Sequence, residues 1–186
     1  MVKPLFFYGS LRHAPLLEVV LGRSLDSGAA TAATLLDYAA YAVAEGPFPT
    51  LLAEQGSHAQ GLLVSGLTAS DIARLDFYEG GFDYDLVDVV LDGGQMAQVY
   101  VCGPERWTAV DLWDFDGWLS QWGAMSCHAA SEVMGYLNSR TRDQVAEMFP
   151  QIRARAWSKV LAAGWTAGQE VFAGQIEIER KSRAYA

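Results

Sequence analysis

The sequence predicts an α+β fold, in which a main domain of short strands and helices is followed by a helical appendage. Within residues 1–109, apolar runs of strand length are bounded by turn residues, and one run, 69–79, places its apolar side chains on one helical face. From residue 110 onward, aromatic and apolar residues recur at partly helical spacing. We therefore assign residues 1–109 to the main domain, 110–168 to the appendage and 169–186 to a strand-like terminal segment.

The first predicted unit is a strand, a glycine-containing loop and a helix. Leu5–Tyr8 is a short apolar run cut off by Gly9 and Ser10, as in a buried strand that ends in a turn. Pro15 favours the start of a helix, and Gly22 favours its end.

The middle of the main domain is predicted to contain further strands and one helix. Residues 46–49, Gly-Pro-Phe-Pro, are predicted to form a loop. Thr68 supplies an N-cap for a helix over Ala69–Glu79, and Gly80 supplies its end. The remaining strand-like segments are 29–44 (one or two strands), 60–66, 84–91 and 95–102, the last two joined by the hairpin-type turn Asp92-Gly93-Gly94.

The appendage is predicted to be helical over residues 129–138, 144–149 and 152–163, and the six tryptophans of the chain are interpreted mainly as packing residues. Residues 169–178 alternate like a strand, although the helices before them offer no sheet. This segment must join the main sheet, pair with a second copy in a homodimer, or belong to a further domain. We favour the further domain or a loose attachment.

Composition excludes several classes of protein. The net charge of −9 is concentrated in residues 1–139, and such an acidic body argues against nucleic-acid or anionic membrane partners. The N-terminus lacks signal-peptide architecture and the leading apolar run is far too short to span a bilayer, so we expect a soluble, cytoplasmic protein. Two cysteines make no disulfide framework, and with three scattered histidines they show no metal-ligand spacing, so no metal is predicted.

Glu79 is the first candidate for chemistry. Ile72, Leu75 and Glu79 share one face of the predicted helix, and that face is apolar, so a carboxylate stands where a leucine would be expected. Burial and the negative end of the helix dipole both disfavour the charged form, which predicts a raised pKa suited to acid/base catalysis. The structural alternative is a glutamate that helps cap the helix end or reaches solvent.

The loop Tyr8-Gly9-Ser10-Leu11 is the second candidate. Between a strand and a helix, glycine and serine can present backbone N–H groups to an anion such as a carboxylate. The structural alternative is an ordinary tight turn. A phosphate-binding loop with a following Lys-Ser/Thr is absent from the sequence.

Taken together, these motifs resemble the γ-glutamylcyclotransferase and AIG2-like superfamily over roughly residues 4–103. The resemblance is carried by Tyr8-Gly9-Ser10-Leu11, by Leu75-Asp76-Phe77-Tyr78-Glu79-Gly80, and by the following Tyr84 and Val87-Asp88-Val89. It implies a small mixed β-barrel and an enzyme that converts γ-glutamyl amino acids or amines into 5-oxoproline and a free amine, without a cofactor. By matching position, it makes Glu79 the acid/base, gives Tyr8, Gly9, Ser10 and Leu11 the binding of the γ-glutamyl moiety, and places Tyr84 in the cavity wall.

Two departures leave alternatives open. Members of the superfamily often have an arginine two residues after the tyrosine that matches Tyr84, whereas this chain has Leu86, so the identity of the substrate stays open. Residues 176–185 resemble the opening strand of a Nudix domain, although no Nudix box follows, and a Nudix domain or a second copy of the chain is a candidate partner. The alternative function is a non-catalytic metabolite-binding or accessory module associated with a Nudix hydrolase.

Overall fold

The computed structural model describes residues 2–80 and 84–165, which form one six-stranded sheet and four α-helices, so the α+β class is as predicted. A 3₁₀ turn at Ser10–Arg12 follows the first strand. In chain order the elements are β1 (Leu5–Phe7), α1 (Ala14–Leu21), β2 (Ala30–Val43), β3 (Gly46–Val64), α2 (Ala69–Glu79), β4 (Asp85–Val90), β5 (Met96–Val101), β6 (Ala109–Leu112), α3 (Phe115–Gly135) and α4 (Arg142–Ala162).

The sheet is open, so the predicted barrel is wrong. Its strands lie in the order β4-β5-β1-β3-β2-β6, with β1 and β5 parallel and the other neighbours antiparallel. A barrel closes only when its edge strands pair. Here β6 pairs with β2 near Tyr41 and Val43, whereas the β4–β5 turn reaches the other half of β2, where the Asp92 N–H donates to the Thr34 carbonyl at 2.9 Å. Within the described ranges the two edge strands therefore do not pair with each other.

Strand β3 includes the segment predicted as a loop, so the prediction for residues 46–49 is wrong. Proline has no N–H to donate and is confined to strand starts and free edges. Both conditions hold here. Pro47 and Pro49 are among the first four residues of β3, and β1 pairs with β3 only at the opposite end of that strand, over Leu62–Val64. On its other side, Pro49 lies opposite Ala42 of β2.

Helices α1 and α2 begin and end as the sequence predicted. Pro15 lies in the first turn of α1, and Gly22 ends the helix with a positive φ of 69°. Thr68 and Asp71 form a capping box at the start of α2, and Gly80 caps its end. Asp71 also accepts a hydrogen bond from Nη2 of Arg23 at 2.8 Å, so the buried carboxylate that caps α2 fixes the segment after α1 against it.

Alternation along β1 divides the hydrophobic residues between two clusters. Leu5 and Phe7 pack with the helices, whereas Phe6 and Tyr8 pack in a second cluster with residues of β2 to β5. Trp157, a fully buried residue of α4, belongs to the same cluster as Leu5 and Phe7. The helices after residue 115 thus share the main hydrophobic core and do not merely lie beside it.

The region from residue 110 differs from its prediction in two ways. Residues 109–112 form the exposed edge strand β6, which a search for helical spacing could not detect, and this strand crosses the predicted boundary between residues 109 and 110. The three helical segments predicted after it are two long helices, and Pro150 lies inside α4 without ending it. The assignment of domains stays a prediction. Residues 169–186, for which a strand-like segment was predicted, lie outside the described residues.

Over residues 2–80 and 84–165, none of the helices combines the length and the apolar character that crossing a bilayer demands.

Candidate active site

A cavity of about 310 Å³ lies where β1, the start of β3, the end of α2 and the two long helices meet. Glu79, the loop Tyr8–Leu11 and Tyr84, which were singled out in the sequence, all line it. The volume is at the lower end of the range for small-molecule sites, about 300–1,000 Å³. The cavity therefore suits a ligand of amino-acid or short-peptide size.

Glu79 is the last residue of α2, and its half-buried side chain lines the cavity. Desolvation raises its pKa from 4.5 to about 7. Its neighbour one turn earlier, Leu75, is fully buried, which agrees with the apolar face predicted for this helix. Near neutral pH, Glu79 is populated in both protonation states, so it can accept and donate a proton.

Four tyrosines surround Glu79, and sequence analysis identified only two of them. Burial is the main reason that the pKa of each is raised, and the negative charge of Glu79 adds to the shift in every case. The hydroxyl groups of Tyr8 and Tyr84 are hydrogen-bond partners, and Tyr84 donates to the Pro49 carbonyl at 3.0 Å. Tyr100 donates to Oδ1 of Asp76 at 2.7 Å. The fourth member is Tyr78, which precedes Glu79 in the chain.

The loop after β1 is held close to the start of β3. A side chain at Gly9 would place its Cβ 2.8 Å from Cγ of Pro49, so only glycine fits without a shift. The 3₁₀ turn that follows Gly9 has no side-chain capping hydrogen bond, and the first N–H groups of such a turn have no acceptor within it. Tyr84 donates a hydrogen bond to the carbonyl of the same Pro49, so Pro49 holds both the loop and Tyr84 in place.

The two long helices also line the cavity, although sequence analysis assigned them to a helical appendage and interpreted its tryptophans mainly as packing residues. Lining residues of α4 recur at helical spacing, so they share one face. That spacing was visible in the sequence, but nothing local indicated which element the face would meet. The residues are Arg142, Val145, Ala146, Phe149 and Arg153 from α4, with Trp118, Met125, Ser126, Ala129, Ala130 and Val133 from α3.

Tryptophan contributes to this cavity as well as to the core. Trp107 and Trp118 line the cavity, whereas Trp122 and Trp157 pack against each other with ring centroids 5.4 Å apart. Among residues 2–80 and 84–165, no group of three or more His, Cys, Asp or Glu side chains could hold a metal ion.

The raised pKa of Glu79 has a testable consequence for stability. Between pH 4.5 and about 7, the folded protein keeps a proton on Glu79 that the unfolded chain has lost, so the free energy of unfolding falls as pH rises. Glu79→Gln removes this titration and should stabilise the protein at about pH 8, by at most about 3 kcal/mol. Chemical denaturation at about pH 8 and pH 4 checks this, because the gain should vanish at the lower pH. If Glu79→Gln changed the free energy of unfolding by the same amount at both pH values, the raised pKa of Glu79 in the folded protein would be contradicted.

Comparison with known proteins gives one family match and matches to several solved structures. The sequence model described as "Gamma-glutamyl cyclotransferase, AIG2-like" matches residues 5–119, more than half of the chain. No curated protein matches the sequence significantly.

Among solved structures, a solution structure from Arabidopsis thaliana is 25% identical, with a TM-score of 0.50 over 62% of this chain and 72% of that one. A second Arabidopsis thaliana solution structure is 19% identical, with a TM-score of 0.48 over 75% and 95% of the two chains. A structure named gamma-glutamyl cyclotransferase is 14% identical, with a TM-score of 0.47 over 80% and 98%.

Proposed function

The chain belongs to the gamma-glutamyl cyclotransferase, AIG2-like family, and from this premise we propose that it converts γ-glutamyl compounds into 5-oxoproline and a free amine. One observation carries the proposal: Glu79 and the loop Tyr8–Leu11 line the same cavity. A γ-glutamyl group offers an ammonium and a carboxylate on one carbon and an amide carbonyl at the other end of a short chain. Such a ligand can meet an acid/base and a row of backbone N–H groups at once.

The reaction is intramolecular and balances within the substrate. Glu79 takes a proton from the α-ammonium group, and the freed lone pair forms a bond to the γ-carbonyl carbon. Glu79 gives its proton to the leaving nitrogen as the bond from the γ-carbon to this nitrogen breaks, and the second proton of the attacking nitrogen then passes through Glu79 to the same amine, which departs as an ammonium ion. Glu79 ends in the protonation state in which it began, and the products are the five-membered lactam and the amine.

The pKa of Glu79 suits both proton transfers. The α-ammonium group of a γ-glutamyl compound lies beside a carboxylate, so its pKa is above the value of about 7.7–8.0 of a peptide N-terminus, and a pKa near 7 brings Glu79 closer to it than an ordinary glutamate at about 4.3 would be. The cavity contributes by folding the γ-glutamyl chain so that amine and carbonyl are in contact. Effective molarities for well-oriented groups reach about 10⁵–10⁸ M, so this orientation would supply most of the rate enhancement.

The loop and the tyrosines orient the substrate in this proposal. Backbone N–H groups of Gly9 to Leu11 hold the α-carboxylate or the oxygen that develops negative charge on the γ-carbon. Tyr8 and Tyr84 form the wall beside Glu79, and their mutual hydrogen bond keeps both rings in place. Because these hydroxyl groups stay protonated, the Glu79 carboxylate is the group that titrates near neutral pH.

The second candidate function is a metabolite-binding module without turnover. It is favoured by the aromatic part of the cavity wall, where Phe48 and Trp107 meet edge to face with ring centroids 4.9 Å apart and Phe149 also lines the space. Aromatic walls bind ligands whether or not a reaction follows.

An assay of 5-oxoproline release separates the two functions. The panel contains glutathione, a γ-glutamyl dipeptide and a γ-glutamylamine, each incubated with purified protein. We expect enzyme-dependent release of 5-oxoproline from at least one of them. Saturable binding of these compounds with no release above the uncatalysed rate would contradict the cyclotransferase and support the binding module.

A further inference from the structure

Asp76 lies in the last turn of α2, where the local physics of a helix does not favour it. Aspartate is a poor helix former, and a negative charge near the C-terminus of a helix opposes the negative end of the helix dipole. The residue is exposed and lies three positions before Glu79. The reason for an aspartate at this position is therefore to be found in a contact with another element.

Tyr100 of β5 supplies that contact. Its ring is buried and lines the cavity, and its hydroxyl group donates to Oδ1 of Asp76 at 2.7 Å. Burial raises the pKa of Tyr100 most, and the bond to Asp76 and the charges of Asp76 and Glu79 raise it further, so this hydroxyl group interacts with both carboxylates. Because a phenol has a single proton, the proton that is directed at Asp76 is withheld from Glu79.

The backbone of Asp76 is fixed as well. Its carbonyl accepts hydrogen bonds from the N–H of Gly80 and, at 3.2 Å, from Nη1 of Arg142. The guanidinium of Arg142 occupies the space that a side chain at Gly80 would need, so the start of α4 packs directly on the end of α2. The carboxylate of Asp76 is therefore presented to Tyr100 from a helix end that another helix holds in place.

The tyrosines on the other side of the cavity also direct their protons to protein acceptors. Tyr84 donates to the Pro49 carbonyl, so the proton in the hydrogen bond between Tyr8 and Tyr84 comes from Tyr8. A hydrogen bond donated to a carboxylate would favour its charged form and lower its pKa. Desolvation, by contrast, is what raises the pKa of Glu79. The other titratable or charged side chains that line the cavity are Tyr8, Glu45, Tyr78, Tyr84, Arg142 and Arg153.

We propose that Asp76 is a positioning residue, which holds the Tyr100 proton away from Glu79 and so preserves the strength of Glu79 as a base. This rests on the proposed function, in which Glu79 takes a proton from the α-ammonium group. Without the carboxylate of Asp76, the Tyr100 hydroxyl group turns about its C–O bond and donates to the ionised Glu79. Glu79 is then a weaker base, although it has not itself been changed.

The test follows the protonation of Glu79 directly, by a ¹³C nuclear magnetic resonance titration of its side-chain carboxyl group. The signal is assigned by comparison with Glu79→Gln, and in the wild-type protein we expect a pKa of about 7. Asp76→Ala should lower this pKa by about one to two pH units, which is the effect of a hydrogen bond to a charged group. Asp76→Asn keeps an acceptor oxygen for Tyr100 and should retain most of the wild-type value.

Tyr100→Phe separates the hydrogen bond from the charge of Asp76. In this background there is no hydroxyl proton to redirect, so adding Asp76→Ala should change the pKa of Glu79 by no more than Asp76→Asn does in the wild-type protein. Asp111→Ala is the matched control, because it removes a carboxylate from the exposed strand β6, and it should have no effect. Asp76→Ala should fold normally, since the residue is exposed and alanine favours a helix.

Three results would each overturn the proposal: an unchanged pKa of Glu79 in Asp76→Ala, an equal fall in the Tyr100→Phe background, or an equal fall in Asp76→Asn. In the active enzyme, the acid limb of the kcat/KM profile should move to lower pH in Asp76→Ala by the same amount as the pKa. The titration itself does not need turnover. The expected set of pKa values together with no 5-oxoproline release by the wild-type protein would support this inference and contradict the proposed enzyme, so the two fail separately.

Discussion

Replacing Glu79 with glutamine should lower the turnover of γ-glutamyl substrates by about 10² to 10⁴-fold, while the fold stays intact. Glutamine keeps the size and hydrogen-bonding capacity of the side chain but cannot carry the proton from the α-ammonium group to the leaving nitrogen. Release of 5-oxoproline under saturating substrate measures the change directly. Because the same variant is expected to be more stable near pH 8, a loss of activity with a raised unfolding midpoint cannot be attributed to misfolding.

The pH profile gives a second readout of the same residue. A general base with a pKa of about 7 is protonated below that value, so kcat/KM of the wild-type protein should fall as the pH drops below about 7. Glu147→Gln, the same change at an exposed residue of α4, is the control and should leave both rate and profile unaltered. Undiminished turnover by Glu79→Gln would remove this residue from the mechanism.

Replacing Trp157 with alanine should reduce the free energy of unfolding by about 3–5 kcal/mol. Trp157 is fully buried in α4, where it packs against Trp122 of α3 and against Trp165, with ring centroids 5.4 and 5.3 Å away. Its removal leaves a cavity at the junction of the two helices that line the candidate site. Denaturant unfolding measures the stability, and we expect weaker substrate binding in the same variant, since the α3 and α4 wall loses its support.

Two further variants test this explanation. Trp157→Phe keeps an aromatic ring and should cost less, whereas Ser158→Ala, at the adjacent exposed residue, should change stability by no more than about 0.5 kcal/mol. If Trp157→Ala unfolded the helices alone and the remaining sheet still showed wild-type activity, the long helices would be a dispensable attachment.

The acid/base candidate could be found from sequence because the signals that define it are local. Thr68 and Asp71 fix where α2 begins, Gly80 fixes where it ends, and the spacing of Ile72, Leu75 and Glu79 places the carboxylate on the apolar face. Each of these effects acts within a few turns of one helix. The unit of β1, loop and α1 is predictable for the same reason, since Pro15 and Gly22 determine the helix ends through their own backbone preferences.

Tertiary structure alone decided how these local units meet. Whether the sheet closes depends on pairing between strands far apart in the chain, and β6 binds the turn end of β2, while the β4–β5 hairpin reaches its other half. The positions of Tyr100 and Arg153 in the cavity lining also depend on distant packing, because a tyrosine in a strand or an arginine on a helix has the same local pattern in a core, on a surface or in a cavity. The sequence by itself determined the helix that carries Glu79 and the unit of β1, loop and α1, because capping and periodicity act over short range. The rest of the cavity lining was decided only when α3 and α4 packed against the sheet. The hydrophobic effect is non-directional, so an apolar helix face does not specify which element it will pack against.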